Sequence, residues 1–114
     1  MSDDAPCAIG IDIGGTKIAG GVIGSDGSIL ARVVIPTETT NETTLISGVQ
    51  KVASELRAAA PGARRIGIGA AGLIDAFSGV IVTSPNLPVS NVALASVIEA
   101  RTGLETMLDN DANV

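Results

Sequence analysis

Two short segments near the ends of the chain carry residues suited to phosphoryl chemistry. An apolar run that ends at Ile13 leads into Gly14-Gly15-Thr16-Lys17, and the last residues include Asn110-Asp111-Ala112-Asn113. Consecutive glycines let main-chain N–H groups approach an anion without interference from a Cβ. The first segment is therefore predicted to hold phosphate, and the second offers a carboxylate that can accept a proton.

Polar residues surround the glycine pair. By strand alternation, Asp12 leaves the sheet on the ligand side, where it can reach a hydrated divalent cation on the phosphates. Thr16 adds a hydroxyl group and Lys17 a positive charge. The segment is not a P-loop, because the Gly-x-x-x-x-Gly-Lys-Ser/Thr spacing is missing and a strand follows instead of a helix. Taken by itself, the segment also fits an ordinary β-hairpin turn with a solvated lysine.

The composition favours one α/β domain. The chain has 114 residues, which fits a single domain, and 46% of them are hydrophobic. Because Phe77 is the only aromatic residue, the core must be built from Ile, Val, Leu and Ala, as in many buried parallel or mixed sheets. The net charge of −5 and the absence of histidine argue against a nucleic-acid partner, because phosphate-backbone binding needs concentrated positive charge.

The cysteine count and the first residues of the chain indicate the cellular compartment. Cys7 is the only cysteine, so neither a disulfide nor a cysteine-based zinc site can form within these 114 residues. The first residues do not resemble a signal peptide, and no apolar run approaches the roughly 18 residues of a membrane helix. We expect a cytoplasmic protein without a membrane partner.

Periodicity and turn residues predict the order β-β-β-α-β-α-β, a mixed sheet with helices packed on it. Proline, glycine and small polar residues mark the boundaries, and Asn91 is predicted to cap the second helix. The predicted elements are strands Ala8 to Ile13, Ile18 to Ile23 and Ile29 to Ile35, a helix with a stripe from Leu45 to Ala60, a strand Arg65 to Ala70, short β pieces around Leu73-Ile74 and Val80 to Thr83, a helix ending near Gly103, and a strand Leu104 to Leu108.

This order predicts where the polar segments meet. Strands separated by helices should lie parallel with right-handed crossovers, so their carboxyl ends face one crevice. The first, fourth and last strands then point the same way. Residues 12–17, 70–72 and 109–111 should therefore lie at one edge of the sheet.

Four motifs together resemble the ROK family of sugar kinases and repressors, and among its members the bacterial glucokinases. They are Asp-Ile-Gly-Gly-Thr-Lys at 12–17, Gly-Ile-Gly-Ala-Ala-Gly at 67–72, Pro-Asn-Leu at 85–87 and Asn-Asp-Ala-Asn at 110–113. The resemblance implies an actin/hexokinase-like ribonuclease-H fold. It also implies that residues 1–114 are the N-terminal lobe of a sugar kinase, with the C-terminal lobe absent from this chain.

The resemblance also implies roles for individual residues. Asp111 would be the catalytic base, and Asp12 would reach the Mg²⁺ ion through water. The phosphate-binding positions would be Asp12, Gly14, Gly15, Thr16 and Lys17, and the sugar-binding positions Gly72, Asn86, Asn110 and Asp111.

The implied activity is that of an ATP-dependent hexokinase with Mg²⁺, with glucose as the expected substrate and glucose 6-phosphate as the product. A structural zinc site is expected only beyond Val114, and the full-length protein is expected to form a homo-oligomer. Residues 1–114 by themselves are not expected to turn over substrate.

The chain departs from the glucokinase pattern at two places. Asp109 stands where these glucokinases usually carry glutamate, and Val89-Ser90 stands where a tryptophan often follows Pro-Asn-Leu. Both changes weaken the assignment to glucose in particular. Plain structural roles also stay open: Asp109 and Asp111 as turn formers, Asn86 as a residue that fixes its loop, and Gly72 as a turn glycine.

There are three alternatives to the hexokinase function. Gly67 to Gly72 satisfies the Gly-x-Gly-x-x-Gly dinucleotide pattern, but the following residues read as a loop, whereas that fingerprint opens a helix. A sugar-responsive repressor of the same family needs a DNA-binding segment, and only seven residues precede Ala8. A non-catalytic truncated lobe is the third alternative.

Overall fold

The computed structural model describes residues 7–85 and 87–110 of the chain. The predicted bounds of the strands Ala8 to Ile13 and Arg65 to Ala70 and of the β piece Val80 to Thr83 are confirmed to the residue, and the other predicted elements move by a few residues at their ends. Within the described ranges the elements are β1 (Ala8–Ile13), β2 (Lys17–Ile23), β3 (Ile29–Pro36), α1 (Glu42–Ala59), β4 (Arg65–Ala70), β5 (Leu73–Asp75), β6 (Val80–Thr83), β7 (Ser90–Val92), α2 (Leu94–Thr102) and β8 (Glu105–Asn110).

Five strands form one mixed sheet in the order β3-β2-β1-β4-β8. The first three strands make an antiparallel meander, while β1, β4 and β8 run parallel to one another. The parallel strands are joined through connections that contain helices, as right-handed crossover units require. The α/β class and the common direction of these three strands were predicted correctly.

Helix α1 follows the predicted apolar stripe. Asn41 caps it, because the Asn41 side chain accepts the N–H of Thr44 at 2.9 Å. The stripe is buried against the meander: Leu45, Ile46, Val49, Val52, Ala53 and Leu56. Gly20 of β2 lets the helix approach closely, since a Cβ there would lie 2.6 Å from Val52.

The opposite face of the sheet is built differently. Gly21, Gly10 and Gly67 lie in register on three neighbouring strands, so the centre of this face has no side chains. A hollow of ≈ 750 Å³ opens there. Two exposed apolar side chains line it, Ile23 and Ile29, and Ile29 is 60% exposed.

A second sheet has three strands in the order β5-β6-β7: the first two confirm the predicted short β pieces, and β7 departs from the prediction. Asn91 does not cap a helix: it lies in β7 with a φ of 54°, and α2 begins at Leu94 after Ala93, which makes no side-chain capping bond. The reason is tertiary, because Val92 pairs with Ile81 and is buried there. The predicted end near Gly103 is confirmed, since Gly103 terminates α2 in the left-handed conformation.

Within the described ranges, neither helix is long and apolar enough to cross a membrane.

Candidate active site

The carboxyl ends of β1, β4 and β8 bring the predicted site segments to one edge. These strands are adjacent and parallel, so residues equally far along each strand lie side by side. The last two rows in register are Asp12 with Gly69 and Asp109, then Ile13 with Ala70 and Asn110. The edge predicted for the three segments is therefore confirmed up to residue 110.

The turn between β1 and β2, residues 14–16, is called the first turn here. Its own bond closes it, because the N–H of Gly14 donates to the carbonyl of Lys17 at 2.9 Å. Thr37, just after β3, fixes it from outside: the Thr37 hydroxyl donates to the Gly14 carbonyl at 2.7 Å, and the Thr37 N–H donates to the Thr16 carbonyl at 3.0 Å. Thr37, which directly follows β3, therefore holds the carbonyls of Gly14 and Thr16.

Two N–H groups of the first turn have no such partner. The N–H groups of Gly15 and Thr16 donate to no acceptor among the described residues, and both residues are exposed. Lys17 is exposed beside them. Successive N–H groups with a cationic neighbour form an anion-binding concavity, so the first turn can hold phosphate.

Asp12 supplies one of the two carboxylates in its row of the sheet, and Asp109 supplies the other on the far side of Gly69. The Asp12 side chain is exposed at the end of β1, one row from the first turn. No group of three or more metal-binding side chains occurs among the residues that the structure describes. This donor set fits Mg²⁺ carried by a nucleotide, because that ion is commonly held by one or two carboxylates together with phosphate oxygens and water.

The turn after β4, Ala71 and Gly72, is called the second turn here. Gly72 has a φ of 120°, and a Cβ there would lie 2.4 Å from the Thr83 carbonyl oxygen, so only glycine fits. Ser84 is buried and donates its hydroxyl to the Ala71 carbonyl at 2.8 Å. Gly72 therefore has the structural role of a turn glycine, which the sequence left open beside a role in binding.

Asn110 joins the second turn to β8. Its side-chain amide donates to the Gly72 carbonyl at 2.8 Å, which fixes the plane of the amide. The N–H of Asn110 donates to the Asp109 carboxylate at 2.7 Å. Asp109 thus makes the local bond expected of a turn former, and Asn110 presents an oriented amide at the edge.

Two predicted site residues, Asn86 and Asp111, lie outside the described residues. The sites assigned to them stay predictions. Asp111 directly follows Asn110, and Asn86 follows Ser84 by two positions.

Thr37 and Ser84 were missed from the sequence, although each fixes one of the two turns. The signal for Thr37 was the β2–β3 meander, because the pairing of Lys17 with Pro36 carries Thr37 opposite Thr16. The signal for Ser84 was the pair of short β pieces, because the pairing of Leu73 with Thr83 carries Ser84 toward the second turn.

The dinucleotide pattern at Gly67 to Gly72 has the wrong surroundings. After Gly72 the chain enters β5, a strand, whereas the fingerprint requires a helix at that point. The structure therefore does not support a dinucleotide-binding function.

Known proteins similar to this chain include sugar kinases and regulators. The glucokinase of Streptomyces coelicolor is 40% identical over 107 residues, which cover 92% of this chain and 32% of the relative. The structure of a ROK family glucokinase from Streptomyces griseus in complex with glucose and AMPPNP superimposes with a TM-score of 0.87 at 32% identity, covering 94% of this chain and 34% of that one. The chain thus spans about a third of the length of these proteins.

A ROK family transcriptional regulator, a homologue of the E. coli MLC protein, has a TM-score of 0.84 at 19% identity, covering 94% of this chain and 28% of that one. This likeness concerns the fold alone. The predicted actin/hexokinase-like lobe is confirmed by these superpositions. Kinases and regulators share that lobe, so the fold by itself does not separate the two functions.

The sequence profile of the ROK family matches residues 8–114, nearly the whole chain. This match agrees with the four motifs and with the superposition on the S. griseus glucokinase. The chain belongs to the ROK family.

Proposed function

We propose that the protein carrying this chain is an ATP-dependent hexokinase that converts glucose into glucose 6-phosphate. The observation that carries the proposal is the register of the parallel strands, which aligns Asp12 with Gly69 and Asp109. An anion-binding turn at the end of β1 and an oriented amide at the end of β8 then stand on either side of β4. Phosphoryl transfer needs this juxtaposition of donor and acceptor more than any covalent chemistry by the protein.

The phosphate half of the proposal uses the first turn. The N–H groups of Gly15 and Thr16 face outward, and Gly14 allows close approach of a phosphate to the backbone. The Thr16 hydroxyl adds a donor and Lys17 a positive charge. We assign the phosphates of ATP to this turn.

Asp12 would contact the Mg²⁺ ion that accompanies ATP, through water. The ion supplies neutralisation of charge on the phosphate oxygens when bound. The role of Asp12 is to hold the hydrated ion on the side of the sheet where β1 ends.

The sugar half uses the second turn and the residues after β8. An asparagine amide can donate to one sugar hydroxyl and accept from another, which suits orientation as well as binding. We assign sugar contacts to Gly72, Asn86, Asn110 and Asp111. Asp111 would accept the proton of the attacking hydroxyl group as the new P–O bond forms.

We also propose that residues 1–114 form the N-terminal lobe of a two-lobed kinase. The support is the coverage of the relatives, because the chain matches about a third of the S. coelicolor glucokinase. In this proposal the second lobe contributes the nucleoside side of the cleft and any structural zinc site. The full-length protein would work in the cytoplasm as a homo-oligomer.

The test is an assay of the full-length polypeptide that contains these residues. Sugar phosphate formation is measured with glucose, mannose and N-acetylglucosamine, each with MgATP or with polyphosphate as donor, and ADP formation is followed in the MgATP reactions. We expect ADP formation that depends on glucose, and ³¹P NMR should identify glucose 6-phosphate. Sugar binding without any phosphoryl transfer would contradict the kinase proposal and favour a sugar-responsive regulator or a non-catalytic lobe.

A further inference from the structure

We propose that Ser84 is a positioning residue for the sugar: it holds the second turn so that the Gly72 carbonyl orients the Asn110 amide. This inference rests on the proposed hexokinase function, because it assigns a task within the same site. Ser84 itself touches neither substrate in this proposal.

The first step is the buried hydroxyl group of Ser84. Ser84 is 8% exposed and follows the end of β6. Its hydroxyl donates to the Ala71 carbonyl at 2.8 Å. Ala71 is partly buried, so its carbonyl pays a desolvation cost when it loses its donor, and removal of this hydroxyl would favour movement of the second turn.

The second step is the close contact between the two backbones. A Cβ on Gly72 would lie 2.4 Å from the Thr83 carbonyl oxygen and 2.8 Å from the Ser84 Cα. The second turn therefore rests directly on the chain at Thr83 and Ser84. A displacement of Ser84 is transmitted to Gly72 without a compressible side chain between them.

The third step is the bond to Asn110. The carbonyl next to that of Ala71, on Gly72, accepts the Asn110 side-chain amide at 2.8 Å. Two successive carbonyls are thus held, one by Ser84 and one by Asn110. Since each bond limits the rotation of the same short turn, loss of the Ser84 bond loosens the acceptor that fixes the Asn110 amide.

The experiment compares Ser84→Ala, Ser84→Thr and Ser78→Ala in the full-length protein. Ser78 is a matched control, because it is exposed in the same small-sheet region and bonds Asp75 through its backbone N–H instead of its hydroxyl. For Ser84→Ala we expect the KM for glucose to rise about fivefold, while the KM for MgATP stays within about twofold. Ser84→Thr keeps a hydroxyl and should return the KM for glucose toward the wild-type value, and Ser78→Ala should leave it unchanged.

A second readout does not depend on activity. The NMR signals of the Asn110 side-chain amide should shift in Ser84→Ala and not in Ser78→Ala. If Ser84→Ala does not fold, Ser84→Cys takes its place, because it keeps the side-chain size with a much weaker donor.

Two results would overturn the inference. One is a folded Ser84→Ala protein with a wild-type KM for glucose and unmoved Asn110 signals. The other is an equal rise of both KM values with a lower melting temperature, which would reveal a general structural role. A wild-type protein without hexose-dependent ATP turnover would instead defeat the proposed function, and the Asn110 signals would still decide whether Ser84 orients that amide.

Discussion

The first and second turns are both glycine turns at the carboxyl edge of the same sheet, and each is held by one hydroxyl group. Thr37 donates to Gly14 at 2.7 Å, and Ser84 donates to Ala71 at 2.8 Å. The groups that remain accessible are different. The first turn presents N–H groups at an exposed surface, whereas the second turn has its carbonyls bonded between two packed segments.

The two turns need glycine for different reasons. At Gly72 the left-handed φ and the contact with the Thr83 carbonyl leave no room for a side chain. Gly14 does not have a positive φ, and a Cβ there would lie 3.1 Å from the Lys17 carbonyl oxygen, which a small shift can relieve. Similar sequence patterns thus produce a rigid support in one place and an open anion site in the other.

The largest expected effect is on catalysis, at the proposed base Asp111. Asp111→Asn should lower kcat by about 10²–10⁴-fold, because an amide cannot accept the proton of the sugar hydroxyl. The KM for glucose should stay within about twofold, since an amide still binds a hydroxyl group. Steady-state kinetics of the full-length protein measure both values.

The matched control is Asp75→Asn, which makes the same change at an exposed residue of β5. It should leave kcat unchanged. Unchanged turnover in Asp111→Asn would remove Asp111 from the role of base.

The next effect concerns stability and separates the two glycines. Gly72→Ala should lower the free energy of unfolding by about 3 kcal/mol, because it combines a strained φ with a backbone clash. Gly14→Ala should cost less than about 1 kcal/mol, since its neighbour can shift slightly. Urea denaturation of both variants measures the difference, and equal costs would refute the contrast between the turns.

The fold could be predicted where the residues of a single strand or helix determine that element by themselves. Ala8–Ile13 and Arg65–Ala70 were predicted to the residue because buried isoleucines alternate and glycine or alanine follows. The strand Ser90–Val92 was not, because only Val92 is buried in it and its pairing partner lies in β6. Asn91 has the side chain of a helix cap, and tertiary pairing overrode that local preference.

Candidate site residues could be predicted where neighbouring residues in the sequence together suit one ligand. The Asp12 to Lys17 segment and the Asn110-Asp111 pair stand out in the sequence because their residue types suit phosphate binding and proton transfer, and the structure brings Asp12, the first turn and Asn110 to one edge. Thr37 and Ser84 are ordinary hydroxyl residues in the sequence. Their roles depend on which carbonyl the fold places beside them, and spacing alone does not contain that information.

A smaller effect tests how the first turn is held. Thr37→Val removes the donor to the Gly14 carbonyl and should lower the free energy of unfolding by about 1 kcal/mol. The KM for MgATP should rise about fivefold, with less change in the KM for glucose. Thr39→Val, at an exposed position two residues on, is the matched control. A rise confined to the KM for glucose would contradict the assignment of phosphate to the first turn.

The smallest effect comes from a third glycine turn, between β2 and β3, which serves as a structural baseline. There the hydroxyl and N–H of Ser28 both donate to the Asp26 carboxylate, and these bonds lower the pKa of Asp26 below its ordinary value of 3.8. Because the folded-state pKa is the lower one, the associated stabilisation is complete above the unfolded-state pKa. It is lost as the pH falls through the folded-state pKa.

Ser28→Ala should raise the pKa of Asp26 toward its ordinary value, as followed by NMR titration of the carboxyl carbon. Neither KM should change, because this turn lies outside the proposed site. A change in the KM for MgATP would show that the third turn is more than a hairpin connection.

The most direct test of the central claim, that the two turns hold the two substrates of one reaction, is an amide NMR titration of the full-length protein. Magnesium AMPPNP should shift the backbone signals of Gly15 and Thr16, and glucose should shift those of Gly72 and the side-chain amide of Asn110. If both ligands bind while these signals stay in place, the two turns are not the substrate sites and the account is wrong.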